Sequence, residues 1–350
     1  MSYNNMGVFD GGIIAPRQTQ PAGMQGMPVM DAAGIASGNA FLISELEKRD
    51  PVIRQPLASV TYPRDVPIET GGGWVDFASA MSVQYGVTGG SGDGTITAGG
   101  ANGIPIVQAS LDKGLFKAHV YSVALRIMFV DMQKANYIGR SLDQLLQEGV
   151  RLSYDKHMDE NVYAGFARYG TYGLVNHPDV TETTVADGAK GTTNWKDKTP
   201  DEILLYINTA ISSTWAAAGY DTAAIPNHIL VPYEQYLYLL NTKVSDLATK
   251  SILDYILENN IVNKEGKGQL YIGATAWCKG AGTGNKDRMV VYVNHERYIG
   301  LDELVPMSRI MTQPNVANVC YDTAYMANIS ELKLLYPNTV TYWDGIGGDA

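Results

Sequence analysis

The clearest pattern along the chain is a strict alternation. Val75, Phe77, Met81, Val83, Tyr85 and Val87 alternate with Asp76, Ala78, Ala80, Ser82, Gln84 and Gly86. One face is apolar and the other small or polar, which is the period of a strand. Thirteen such residues span about 43 Å, against a usual strand of about five or six residues. Residues 86–103 follow, with eight glycines among eighteen, a composition that predicts a soft, solvated tip. The chain returns in extended form through Ile104, Ile106 and Val107. A second alternation then runs through Tyr121, Val123, Leu125, Ile127 and Phe129. Residues 60–130 are therefore expected to form a long β-excursion, too narrow to own a core. A two-stranded ribbon is marginal by itself, so it is expected to lie against another subunit.

Helical periods bracket this excursion. Phe41, Leu42, Leu46 and the four-apart pair Glu45–Arg49 predict a short helix, ended by Asp50-Pro51. Leu142, Leu146, Val150, Tyr154, Met158, Val162 and Phe166 recur every fourth residue and predict one long helix over 139–167. A four-residue repeat drifts about 40° per step around an α-helix, so the stripe winds and needs different neighbours along its length. Residues 170–198 read as a polar connector. Thr199-Pro200-Asp201-Glu202 is a capping box with proline at the first helical position. Ile203, Leu204, Ile207, Ile211 and Trp215 supply that helix's apolar face, and Gly219 ends it. Strands are expected at 228–231, 269–273 and 288–293, and helices near 233–240 and 251–260. This mixed region, 199–310, could hold its own core. Residues 317–343 return to strand-like chemistry and are expected to rejoin the first region, making the second an insertion. No internal repeat is visible.

Composition narrows the function classes. The 350 residues are 45% hydrophobic and 18% charged, with net charge −10. No Lys/Arg cluster marks a nucleic-acid reader. No apolar run reaches the length of a membrane helix, and the first residues lack the pattern of a signal peptide. Residues 1–38, rich in Gly, Met, Pro, Ala, Gln and Asn, read as a flexible arm. Twenty-two tyrosines against six phenylalanines suit either wet interfaces or many strands. Cys278 and Cys320 make neither a disulfide framework nor a zinc site.

Few residues stand at spacings that carry chemistry. His119, His157, His177, His228 and His295 lack metal-ligand spacing. Asp155, Asp159 and Glu160 beside His157 read either as a carboxylate–histidine site or as a solvated helix face with Arg151–Asp155 as a pair. Gly280, Gly282, Gly284 and Lys286 suggest a phosphate loop only superficially, because a strand follows where a helix is needed. Gly90, Gly92 and Gly94 lack the ligand ladder of a calcium loop. No catalytic, cofactor or metal residues are assigned, and the chain is not expected to be an enzyme.

The order of these elements resembles the Hong Kong 97-type capsid fold of tailed phages. Several stretches resemble phage major capsid proteins in wording: FLISELEKRDPVIRQPL (41–57), SVTYPRDVPIETGGGW (59–74), IGRSLDQLL (138–146), YDKHMDENVYAGFARYGTYGLVNHPDV (154–180), KTPDEILLYIN (198–208) and RIMTQPNV (309–316). The likeness runs from about residue 40 to about 345. It implies an α+β fold with an N-terminal arm (1–59), an extended β-loop and its base (60–130), and a peripheral domain with a spine helix (131–198). An inserted axial domain (199–310) and a return to the peripheral domain (311–350) complete it.

Candidate inter-subunit contacts under this reading are Phe41 and Leu46 in the arm, and Trp74, Phe77 and Tyr85 on the outgoing strand. Gly90, Gly92 and Gly94 at the tip, Ile104 and Ile106 on the return, and Gly282 and Gly284 in the later loop join them. The implied partners are copies of the same chain in pentamers and hexamers, then scaffold, portal or decoration proteins. Packaged double-stranded DNA would be enclosed without sequence-specific contact, and no membrane is involved. The implied place is the virion, assembled in the bacterial host cytoplasm. Thirty-eight low-complexity residues are too few for a scaffolding domain, so a separate scaffold or none is expected. Competing readings are an encapsulin-like nanocompartment shell, a soluble enzyme without short motifs, and a tail or decoration protein.

Overall fold

The computed structural model describes residues 6–8, 14–16, 59–88, 106–138, 142–245, 250–265 and 268–348. The expectations for Phe41, Leu46, Gly90, Gly92, Gly94 and Ile104 lie outside the described residues. The chain divides into two units, Met1–Leu57 and Ala58–Ala350. In the first, strands β1 (Met6–Val8) and β2 (Ile14–Pro16) pair antiparallel, with Met6 opposite Pro16. They flank Asp10-Gly11-Gly12, a hairpin signal too short to show as a period.

The second unit begins with α1 (Tyr62–Asp65), β3 (Ile68–Thr70), β4 (Phe77–Thr88) and β5 (Ile106–Met128). Helices α2 (Phe129–Ile138) and α3 (Leu142–Tyr163) follow, then β6 (Thr181–Thr184), α4 (Pro200–Ala217), β7 (His228–Val231) and α5 (Tyr233–Asn241). Next come α6 (Ile252–Glu258), α7 (Ile261–Lys264), β8 (Tyr271–Ala274) and β9 (Arg288–Tyr292). Strands β10 (Ile299–Asn315), β11 (Cys320–Ser330), β12 (Lys333–Leu334) and β13 (Val340–Asp344) complete it.

Two sheets organise these elements. The five-stranded sheet runs β6-β13-β9-β7-β8. Its inner strands β7 and β9 read as mostly apolar runs, HILV and RMVVY, because both faces are covered there, whereas the edge strand β6, TETT, is polar and exposed. Ile229, Val231, Met289 and Val291 enter one core with Ile203, Ile207 and Ile211 of α4 and Leu239 of α5. Leu230, Val290, Tyr292, Val340 and Tyr342 enter the other with Tyr154, Met158 and Val162 of α3. Each fully buried aliphatic side chain contributes about 1.5–3 kcal/mol. The α4 cap forms as its sequence predicts: Glu202 N donates to Thr199 Oγ1 at 3.4 Å and Thr199 N to Glu202 Oε2 at 2.8 Å. Gly219, at φ 72°, follows the helix end.

The other sheet runs β12-β10-β11-β5-β4, with β3 parallel to β10. Strand β5 is 23 residues long, about 76 Å at about 3.3 Å per residue. It changes partner midway. Residues 106–117 pair with β4 and residues 118–128 with β11. Lys117 O accepts from Glu331 N while Ala118 N donates to Asp76 O. The C=O and N–H of this one trans peptide group point oppositely, so the two partners lie on opposite edges of β5.

Four elements differ from expectation. The spine helix is 22 residues, Leu142–Tyr163, rather than 139–167; Ala164 N and Gly165 N both turn back onto Glu160 O, and Gly165 sits at φ 65°. Phe129 opens helix α2 instead of ending a strand, with its N–H held by Val319 O. Strand β10 was not anticipated, because Pro306 and register shifts on either side of it interrupt the alternation. Residues 317–343 split between sheets: β11 joins β5, while β13 joins β9 and β6. The winding stripe of α3 does change neighbours: Leu146 and Val150 meet Leu125 and Tyr325, Tyr154 meets Tyr121 and Glu303 of the long sheet, and Met158 and Val162 enter the core that strands of both sheets share.

Candidate assembly surface

The β4–β5 ribbon is positioned at its base by polar contacts that the alternation does not reveal. Lys117 Nζ donates to Tyr169 O and Gly170 O, and Lys117 N donates to Glu331 Oε1 at 2.8 Å. Next to it His119 stacks on Tyr169, and His157 of the spine stacks on Phe166 with ring centroids 4.6 Å apart. Burial pushes the pKa of both histidines down, and His119 lowers that of His157 further. Both rings are therefore neutral packing groups at pH 7. Asp159, one of the carboxylates beside His157, is buried rather than solvated. It accepts from Thr61 N, Tyr62 N and Trp277 Nε1 and so ties the chain entering α1 to the spine.

Beyond this base the pairing puts opposite residues on one face. Phe77 faces Lys117, Ser79 faces Leu115, Met81 faces Lys113, Val83 faces Leu111 and Tyr85 faces Ala109. That face carries Phe77, Met81, Val83, Tyr85, Leu111 and Leu115, all exposed; Met81 is 74%, Tyr85 76% and Leu111 72% exposed. Isolated exposed apolar residues are ordinary, but a continuous stripe of this size marks an interaction surface. The opposite face has small residues. Near the base, Ala80, Ser82, Gly114 and Phe116 line a cleft of about 430 Å³ against Leu334, Tyr336 and Pro337.

The candidate contacts distribute unevenly over this surface. Phe77 and Tyr85 lie on the apolar stripe. Ile106 is exposed on the other face, opposite Thr88. Trp74 is exposed in the segment that crosses the long sheet, where Gly71, Gly72 and Gly73 take positive φ and Asn328 Nδ2 donates to Gly73 O and Val75 O. Gly282 and Gly284 lie away from the ribbon. They turn the chain over the buried Arg288–Asp344 pair, where Thr283 N donates to Asp344 Oδ2 and a Cβ on Gly282 would stand 2.7 Å from Asp344 Cγ. That gives them a reason within the subunit. Leu111 and Leu115 were missed, because Lys113 and Gly114 break the alternation of β5 there.

Among the described residues no group of three or more His, Cys, Asp or Glu side chains is placed to hold a metal, and no helix is long and apolar enough to cross a membrane.

No curated protein matches this chain. Its fold is shared with solved capsids. The capsid of Myoviridae phage XM1 matches with a TM-score of 0.71 at 14% identity, covering 86% of this chain and 97% of that one. The capsid of a native GTA particle matches at 0.61 and 9% identity, over 89% and 98%. Microbacterium phage Oxtober96 matches at 0.57 and 12% identity, over 89% and 99%. The α+β architecture is thus the Hong Kong 97-type capsid fold that the sequence resembled. Residues 92–346 match the family described as major capsid protein. The chain belongs to the major capsid protein family, and its role is that of a structural subunit of the capsid shell of a virion.

Proposed function

We propose that copies of this chain assemble through pentamers and hexamers into an icosahedral phage head around double-stranded DNA, with no catalytic role. The observation that carries the assembly reading is the apolar stripe of the β4–β5 ribbon, which the subunit leaves in solvent. On this reading residues 60–130 form the extended loop laid over a neighbouring subunit, residues 131–198 and 311–350 the peripheral part, and residues 199–310 the axial part. Scaffold, portal and decoration proteins would join the same shell. The net charge of −10 suits a wall that encloses DNA without gripping it.

The test is a paired substitution on the stripe, Met81→Asp with Leu111→Asp. The expected product is a folded subunit with an unchanged thermal melt that forms no closed particles in electron micrographs. Normal particles from this variant would remove the stripe from the assembly contact. Deleting residues 88–102 should likewise leave the subunit folded while closed shells fail to form. Particle contents decide the cargo: nuclease-protected DNA supports a phage head, whereas packaged enzyme would replace it with a nanocompartment shell.

A further inference from the structure

The helices over the five-stranded sheet present two outward features that stay largely in solvent, although the Tyr233 hydroxyl bonds Ser59 Oγ and Asn208 Nδ2 donates to Asn259 O. The first is a ridge. Tyr233, Leu237 and Leu240 of α5 lie four and then three residues apart, so they share one face of the helix. All three are exposed, Leu237 by 51%, while Gln235 and Leu239 on the other side are buried. The second is a groove along α4, a shallow cleft of about 410 Å³ lined by Asn208, Thr209, Ser212, Ser213, Ala216 and Tyr220. Leu205, 65% exposed, stands at one end of it. Asn208 Oδ1 is buried with no donor among the described residues.

The two features lie over different parts of the sheet. Helix α4 packs on β9 and β13, and α5 packs on β8 at the sheet's edge. A chain cannot seat its own ridge in its own groove without breaking the packing that holds both helices. A second copy can.

The spacings match. From Leu240 back to Leu237 and Tyr233 the helix advances about 4.5 and about 10.5 Å. From Leu205 forward to Asn208 and Ser212 it advances by the same about 4.5 and about 10.5 Å. Laid antiparallel, with Leu240 on Leu205, the ridge therefore sets Leu237 at Asn208 and Tyr233 at Ser212. Charge agrees with this direction. Helix α4 contains Asp201 and Glu202 but no lysine or arginine. Glu202 is committed to the cap, whereas Asp201 is exposed and makes no ion pair among the described residues. Lys243, just beyond α5, is exposed and equally unpaired there. The antiparallel setting brings Lys243 toward Asp201.

We infer that the α5 ridge of one copy seats in the α4 groove of the next, and that this contact joins neighbouring subunits within a capsomer. Two different faces meet, so the contact is heterologous and propagates around a ring rather than closing a dimer. The inference rests on the capsid assembly proposed above and names the faces that would meet in its axial part.

Cross-linking tests it in assembled particles of the full chain. The double variant Leu237→Cys, Thr209→Cys should give, on oxidation, a ladder of covalent oligomers reaching five and six subunits. Each single variant should give none, since Cys278 and Cys320 are buried. Normal particles from the double variant without a ladder would overturn the contact and leave the capsid reading intact; failure of the unaltered chain to form particles would strike that reading instead. If the cysteine pair prevents assembly, charge exchange decides. Asp201→Lys and Lys243→Asp should each lower particle yield about threefold, as expected for one exposed ion pair, and together restore it. Folded single variants whose combination restores nothing would overturn the antiparallel setting.

Discussion

The five-stranded sheet and the β4–β5 ribbon are built from the same kinds of residue and make opposite use of them. In the sheet, Leu230, Val290 and Tyr292 meet one core and Ile229, Val231 and Val291 the other. In the ribbon, Met81, Val83, Leu111 and Leu115 stay exposed in their own subunit. The sheet is stabilised by folding; on the proposed assembly the ribbon is stabilised by association. Apolar side chains stabilise only through the surface they remove from water, so a ribbon without a core can gain from its stripe only when another surface covers it.

The largest effect that would sharpen this contrast is expected at Arg288. Its guanidinium donates to Asp344 Oδ1 at 2.7 Å and Oδ2 at 2.9 Å, to Val175 O and to Glu182 Oε1, with both Arg288 and Asp344 buried. Arg288→Ala leaves a buried carboxylate uncompensated and should cost about 3–5 kcal/mol in denaturant unfolding. A loss under about 1 kcal/mol would mean that the sheet tolerates disruption as the ribbon should.

Acid provides the next comparison. His228 of β7 has Asn227 Oδ1 at 3.3 Å from its Nδ1 and Asn294 Nδ2 at 3.0 Å from its Nε2. With Nδ1 protonated and Nε2 accepting, the neutral ring satisfies both neighbours. Burial pushes its pKa down to about 4, assisted by Arg64 and opposed by Asp65. The unfolded chain then binds the proton more readily, so this contribution to stability is intact above about pH 6.5 and falls away toward pH 4. His228→Gln should flatten the stability–pH curve between those values. An unchanged slope would remove His228 as the source.

Smaller effects remain. Thr199→Ala removes the α4 cap and should cost about 1 kcal/mol in thermal unfolding; no change would place helix stability in tertiary packing alone. Replacing Met81 and Leu111 by serine should change subunit stability by less than about 0.5 kcal/mol, because both side chains stay largely exposed on folding. A substantial loss would show that the ribbon has a partner within its own subunit and would collapse the comparison.

Much of this was legible in the sequence. Period two located β4, the four-residue stripe located the spine, and the reciprocal Thr199/Glu202 pattern located α4, because each signal is local and repeats. Phe77 and Tyr85 could be placed on an apolar face for the same reason. Strand β10 escaped because Pro306 and the bulges around it disturb the period, and Leu111 and Leu115 escaped behind Lys113 and Gly114. The burial of Asp159 escaped because its partners, Thr61, Tyr62 and Trp277, come from distant parts of the chain.

The sequence by itself determined the segments with an unbroken local period, β4, the spine helix and α4 among them, and that the ribbon has an apolar stripe without enough neighbouring residues to cover it. Tertiary structure alone decided that β5 changes partner at Lys117 and Ala118, that β13 enters the five-stranded sheet, and that the glycines at 282 and 284 wrap an internal ion pair. The difference is physical. Periodicity reports which side of an element must avoid water, whereas strand partners and buried charges are fixed by pairings between residues far apart in the chain.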